Sequence, residues 1–121
     1  MEQSGRPILI VEDDDTIRSA LEVALGAHGY RVSLAANGAE ALDRIAQERP
    51  SLVFLDMRMP VLDGWQFNTE AHARGFDPPI VVMTTREDAP RVAEELNAAG
   101  YLGKPFDLEE LRACVRDHRI P

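Results

Sequence analysis

Five side chains in this chain are of types that handle charged oxygen groups: Glu12 and Asp13, then Asp56, then Thr84, then Lys104. Carboxylates gathered without a partner repel one another and raise each other's pKa, a cost that a bound divalent cation removes. Oxygen-only ligands point to Mg²⁺ or Mn²⁺. Mg²⁺ keeps octahedral geometry and several waters, so a site with few protein ligands leaves coordination positions for an incoming phosphoryl oxygen. Phosphoryl transfer requires an in-line nucleophile, a metal to neutralise the equatorial oxygens, and a cation or hydroxyl to hold the remaining charge. Asp56, the metal, Lys104 and Thr84 match those parts.

Singly, each residue has an ordinary reading. An acidic run such as Glu12 to Asp15 is usually a solvated turn or a helix cap, and Asp14 or Asp15 is expected to cap the helix that follows. A strand commonly ends in Asp, a strand-end Thr commonly bonds to backbone, and a Lys is commonly a solvated surface charge. The order and spacing of the set carry the inference.

Positioning such a set requires strands that end together. Short apolar runs alternate with segments of helical period five times, the pattern of βα units around a parallel sheet buried on both faces. The strands are read as Ile8 to Val11, Tyr30 to Ala35, Leu52 to Leu55, Ile80 to Met83, and Gly100 to Leu102. In such sheets ligand sites lie beyond the carboxyl ends of the strands. Four of the five ends supply a candidate residue.

Helical stripes follow each strand. The first is Ile17, Ala20, Leu21, Ala24 and Leu25, closed by Gly26 and Gly29; the second is Ala41, Leu42, Ile45 and Ala46 after Asn37-Gly38, stopped by Pro50. The third, after Asp63-Gly64, runs through Trp65, Phe67 and Ala71 with a weak apolar face. The fourth has Asp88 as expected N-cap, Pro90 in its first turn, and Ala89, Val92, Ala93 and Leu96 inward. The last opens with Asp107 and Glu110 at capping-box spacing and carries Leu108, Leu111 and Val115.

The 121 residues suit one domain, and 45% hydrophobic with 28% charged residues is a globular composition. Residues 1–6 read as a flexible lead. Asp and Glu number 21 against 13 Lys and Arg, a net charge of −8 that disfavours direct contact with nucleic acid or anionic membranes. No apolar run approaches the roughly 20 residues of a membrane span, and the N-terminus has no apolar signal stretch, so a cytoplasmic location is expected. Cys114 is alone and reads as a packing residue. His28, His72 and His118 lack metal-ligand spacing and do not make convincing phosphodonors, so a donor must be another protein.

The motifs Val11-Glu12-Asp13-Asp14, Leu55-Asp56-Met57-Arg58-Met59-Pro60-Val61-Leu62-Asp63-Gly64, Met83-Thr84-Thr85 and Lys104-Pro105-Phe106 resemble those of the receiver domains of two-component response regulators. The similarity covers nearly the whole chain as a single receiver domain, residues 1–121. It implies a doubly wound, five-stranded parallel α/β sheet of the flavodoxin type, strand order 2-1-3-4-5, with five helices. It further implies that Asp56 accepts phosphate from a phosphohistidine on a histidine kinase or histidine phosphotransfer protein. Asp13, Asp56 and the Arg58 carbonyl would ligate Mg²⁺, with Glu12 assisting through water, and Lys104 would pair with a phosphoryl oxygen. Thr84 would be drawn toward the phosphate while Tyr101 turns inward, and the Lys104-Pro105 bond is expected cis. Such a chain is no enzyme beyond catalysing its own phosphorylation and dephosphorylation. Homodimerisation on phosphorylation is a weaker implication.

Two features depart from the family pattern. Arg58, Thr85 and Arg86 occupy positions that tune acyl-phosphate lifetime, and their bulk and charge predict slow self-dephosphorylation. The segment from Leu96 to Tyr101 is about two residues shorter than usual, on the surface where receivers dimerise or dock partners. Two rival functions share part of this residue set. A haloacid-dehalogenase-type Mg²⁺ hydrolase would begin with an Asp-x-Asp nucleophile strand, whereas here the acidic pair comes first and Arg58 lies two past Asp56. A receiver-like interaction module acting without phosphorylation would not need the complete set Asp13, Asp56, Thr84 and Lys104.

Overall fold

Each apolar run becomes a strand in the computed structural model, which describes residues 3–59 and 61–120. The strands are β1 (Gln3–Val11), β2 (Tyr30–Ala35), β3 (Leu52–Asp56), β4 (Ile80–Thr85) and β5 (Gly100–Lys104). The helices are α1 (Asp15–Gly26), α2 (Gly38–Gln47), α3 (Gly64–Ala73), α4 (Ala89–Leu96) and α5 (Leu108–His118). All pairings are parallel and the order is β2-β1-β3-β4-β5, as the resemblance implies. The start of the chain differs from expectation. Gln3 already pairs with Tyr30, with a register shift before Ile8, so residues 3–6 belong to β1 rather than to a loose lead. Residues 1–2, Pro60 of the second motif, and Pro121 lie outside the described residues.

Period-two alternation divides the buried strands between two layers. Leu9, Val11, Val53, Leu55 and Val82 pack with the inward residues of α2, α3 and α4. Ile8, Ile10, Phe54, Val81 and Met83 pack with Leu21 and Leu25 of α1 and Leu111 and Val115 of α5. Burying a side chain of this size contributes about 1.5–3 kcal/mol, and both layers clamp the central strands whose ends carry the polar residues.

Local chemistry sets the helix starts. Asp14, Asn37, Asp63 and Asp107 each accept a backbone N–H as N-cap, and Asp63–Gln66 and Asp107–Glu110 form complete capping boxes. Asp88 does not cap α4. It sits in helical φ/ψ, its N–H donates to the Thr85 hydroxyl at 3.2 Å, and its carboxylate pairs with Arg91 at 3.4 Å. Three expected inward residues, Ala20, Ala46 and Leu108, face solvent, and Trp65 is exposed on α3. The short connection after α4 is made by Asn97 at φ 57°, a left-handed cap that Asn tolerates. Ala98 N–H then donates to the Ala93 carbonyl and Ala99 N–H to the Ile80 carbonyl, both at 2.8 Å, delivering the chain directly into β5.

The β3–α3 loop, which leaves the site at Asp56, is seated by two glycines. A Cβ on Gly38 would lie 2.7 Å from the Leu62 carbonyl, and one on Gly64 would lie 2.9 Å from the Met57 Cα. Backbone, not only flexible side chain, would have to move. Gly64→Ala is accordingly expected to cost about 1–3 kcal/mol, measured by urea denaturation. An unchanged midpoint would show that the loop yields without cost.

Candidate phosphoacceptor site

The strand order reverses between β1 and β3, and a crevice opens beyond their carboxyl ends. Glu12, Asp13, Asp14, Ile17, Asp56, Arg58, Thr84, Thr85 and Lys104 line it. Glu12 follows β1 directly, and its N–H donates to the Ala35 carbonyl at 3.1 Å. Its side chain is only 1% exposed, with one oxygen accepting from Asp14 N–H at 3.2 Å and the other from Lys104 Nζ at 3.0 Å. Arg18, one turn into α1, donates to the Glu12 carbonyl at 2.8 Å and the Asp13 carbonyl at 3.4 Å, and also binds Asp15. The acidic turn is therefore held from both sides. Asp13 remains exposed at the mouth.

Asp56 closes β3 at 5% exposure, its Oδ1 accepting from Arg58 N–H at 3.2 Å and lying 3.5 Å from Lys104 Nζ. Burial is the main cause that pushes its carboxyl up from 3.8 to about 7; Glu12 adds to the rise, while Arg58 N–H and Lys104 oppose it. Burial also works against the charge of Lys104, but its bond to Glu12 and the two carboxylate charges outweigh this and raise its pKa. Thr84, buried at the end of β4, and Thr85 complete the wall, and the Lys104-Pro105 bond is cis. One oxygen each of Glu12, Asp13 and Asp56 lie within 4.8 Å of one another. Such a carboxylate set, with one member driven toward protonation by its surroundings, fits a hard divalent cation.

The remaining expected residues are placed differently. Tyr101 is on β5 but turned outward, 51% exposed. Arg58 and Thr85 line the crevice, whereas Arg86 does not. Its guanidinium turns away to Pro105 and Glu110, so it is not beside Asp56. Arg18 escaped the sequence reading, although a cation one helical turn after an acidic strand end is a usable signal for a residue that braces it.

Two-component signalling domains combine this topology with an acidic strand-order reversal. The chain belongs to one family of them: residues 8–116 match the response regulator receiver domain. Its relatives include the response regulator MprA of Mycolicibacterium vanbaalenii, 45% identical over 90% of this chain and 48% of that protein. MprA of Mycobacterium avium is 44% identical over 90% of this chain and 49% of its own. The chain thus spans about half the length of these relatives. Among solved structures, Vibrio cholerae chemotaxis protein CheY4 superposes with a TM-score of 0.84 at 29% identity, covering 93% of this chain and 98% of that one. The receiver domain of NtrX from Brucella abortus gives 0.81 at 26%, covering 90% and 94%. Among the described residues, no helix is long and apolar enough to cross a membrane.

The raised pKa of Asp56 has a stability consequence of definite sign. The folded carboxyl binds its proton more tightly than the unfolded one, so in metal-free protein this group's contribution falls as pH rises from about 4 to about 7. Asp56→Asn, uncharged throughout, should therefore melt several degrees above wild type near pH 8 without metal, the difference shrinking as pH falls toward 4. Calorimetry across that range checks it. A difference independent of pH would contradict the assignment.

Proposed function

We propose that this receiver domain accepts a phosphoryl group from a phosphohistidine onto Asp56 and relays the signal through Thr84 and Tyr101. The observation that carries this reading is the half-buried Lys104 ammonium, 3.0 Å from Glu12 and 3.5 Å from Asp56, at one crevice with Asp13 and Thr84. Glu12, Asp13, Asp56 and the Arg58 carbonyl would hold Mg²⁺, which when bound supplies charge neutralisation for the phosphoryl oxygens and lowers the pKa of Asp56. The Asp56 oxygen attacks phosphorus in line, the P–N bond to the donor imidazole breaks, and that nitrogen keeps the electron pair and takes up a proton. Lys104 moves its hydrogen bonding to a phosphoryl oxygen, and the Thr84 hydroxyl donates to another. Apart from this transfer and the hydrolysis of the resulting acyl phosphate to carboxylate and inorganic phosphate, the domain catalyses no reaction. The outward Tyr101 is the side chain expected to fill the space that Thr84 vacates.

The donor is a histidine kinase or a histidine phosphotransfer protein acting in the cytoplasm. The apolar groove of Ile17, Ala20, Leu21, Pro105 and Phe106, which adjoins Lys104, gives it a surface beside the acceptor. The output passes by protein contact, in which homodimerisation is included, and not by nucleic acid or membrane binding of this acidic domain. Long acyl-phosphate lifetime now rests on Arg58 and Thr85, the two tuning residues at the crevice.

Incubation with acetyl phosphate and Mg²⁺ should add one phosphoryl mass to wild type and none to Asp56→Asn. Equal adducts on both, or none on wild type, would refute the reading. Arg58→Ala should shorten the lifetime of phospho-Asp56 several-fold in a phosphate-release assay, and an unchanged decay would remove Arg58 from that role.

A further inference from the structure

Arg86 is held by a clasp that no feature of the phosphoacceptor crevice requires. Its Nε donates to the Pro105 carbonyl at 2.9 Å, and Nη2 and Nη1 reach the two Glu110 oxygens at 3.0 and 3.4 Å. Glu110 is itself fixed, because its Oε1 also accepts the Asp107 N–H at 3.1 Å in the α5 capping box. The guanidinium reaches α5 by crossing β5 over Gly103, where a Cβ would lie 2.7 Å from both Cα and Cγ of Arg86. A side chain at 103 and this course of Arg86 exclude each other.

Sheet order gives the clasp a direction. Thr84 is on β4, with Asp56 on β3 to one side and Gly103, paired with Thr84, on β5 to the other. Displacement of Thr84 toward a phosphoryl group on Asp56 carries the β4–α4 loop away from β5 and α5. That movement stretches the bonds from Arg86 to Pro105 and Glu110. We propose that Arg86 is a positioning residue, clasped to Glu110 and Pro105, that holds the β4–α4 loop in the unphosphorylated arrangement and slows its own domain's phosphorylation. The inference rests on the phosphoacceptor reading of Asp56 and Thr84. In place of the shielding cation that its position in the motif suggests, Arg86 acts at the far side of Thr84 from the acceptor.

An exposed bidentate pair of this kind biases an equilibrium by a factor of about two to five. Phosphorylation rates with acetyl phosphate and Mg²⁺, followed by intact mass, are compared for wild type, Arg86→Ala, Glu110→Gln and the double variant. Gln at 110 retains the capping box, so α5 keeps its start. The expectation is that each single variant takes up phosphate about twofold to fivefold faster, and that the double is no faster than the singles. Raised salt should bring the wild-type rate toward that of Arg86→Ala, a response that a merely structural contact would not give. Rates equal to or below wild type in both single variants, or fully multiplicative gains in the double, would overturn the clasp. Absence of an adduct on wild type would instead overturn the phosphoacceptor reading beneath it.

Discussion

Placing Glu12 and Asp56 side by side under a protein surface is the constraint around which the site is built. With 1% and 5% exposure, neither carboxylate has enough water to offset the repulsion of the other. Lys104 sits between them and answers part of that charge. With Asp13 added and all groups ionised, three carboxylates and one ammonium leave two negative charges, the amount a divalent cation neutralises. Removing one partner of such a buried set costs more than the pair contributes, because the other is left uncompensated.

That charge arrangement explains much of the surrounding hydrogen bonding. Arg18 braces the Glu12 and Asp13 carbonyls, Asp14 N–H holds the second Glu12 oxygen, and Arg58 N–H holds Asp56. The Asp14 and Arg58 contacts restrict carboxylates that would otherwise rotate away from their neighbours, and Arg18 fixes the backbone that carries Glu12 and Asp13. Hydrophobic layers on both faces do the same at the level of whole strands, since a slip of one residue would exchange the two sets of inward side chains. Among the described residues no buried side-chain oxygen or nitrogen lacks a partner, so polar satisfaction and site geometry are met together.

The middle position of β4 links the site to the rest of the surface. Thr84 is shared between the Asp56 crevice and the β4–α4 loop, which reaches α5 through Arg86. Tyr101 and Arg86 flank the same strand pair, one turned outward on β5 and the other folded across it. Under the proposed phosphoacceptor reading, a change at Asp56 is passed to the α4–β5–α5 side through Thr84, paired with Gly103 on β5, and through Arg86.

Much was legible from local pattern. Apolar runs of three to six residues, caps such as Asn37 and Asp107, and a polar residue at four of the five strand ends are nearest-neighbour properties. They determined the βα alternation and, with the motif resemblance, the strand order and the residues Glu12, Asp13, Asp56, Thr84 and Lys104. Tertiary structure alone decided how those charges share space. The pairing of Lys104 with Glu12 spans 92 positions, and burial of Asp56 depends on layers contributed by every helix. The course of Arg86 likewise follows from Gly103 and Glu110, which its own segment cannot specify. Long-range contacts and desolvation set these features, and neither is encoded in the spacing of adjacent residues.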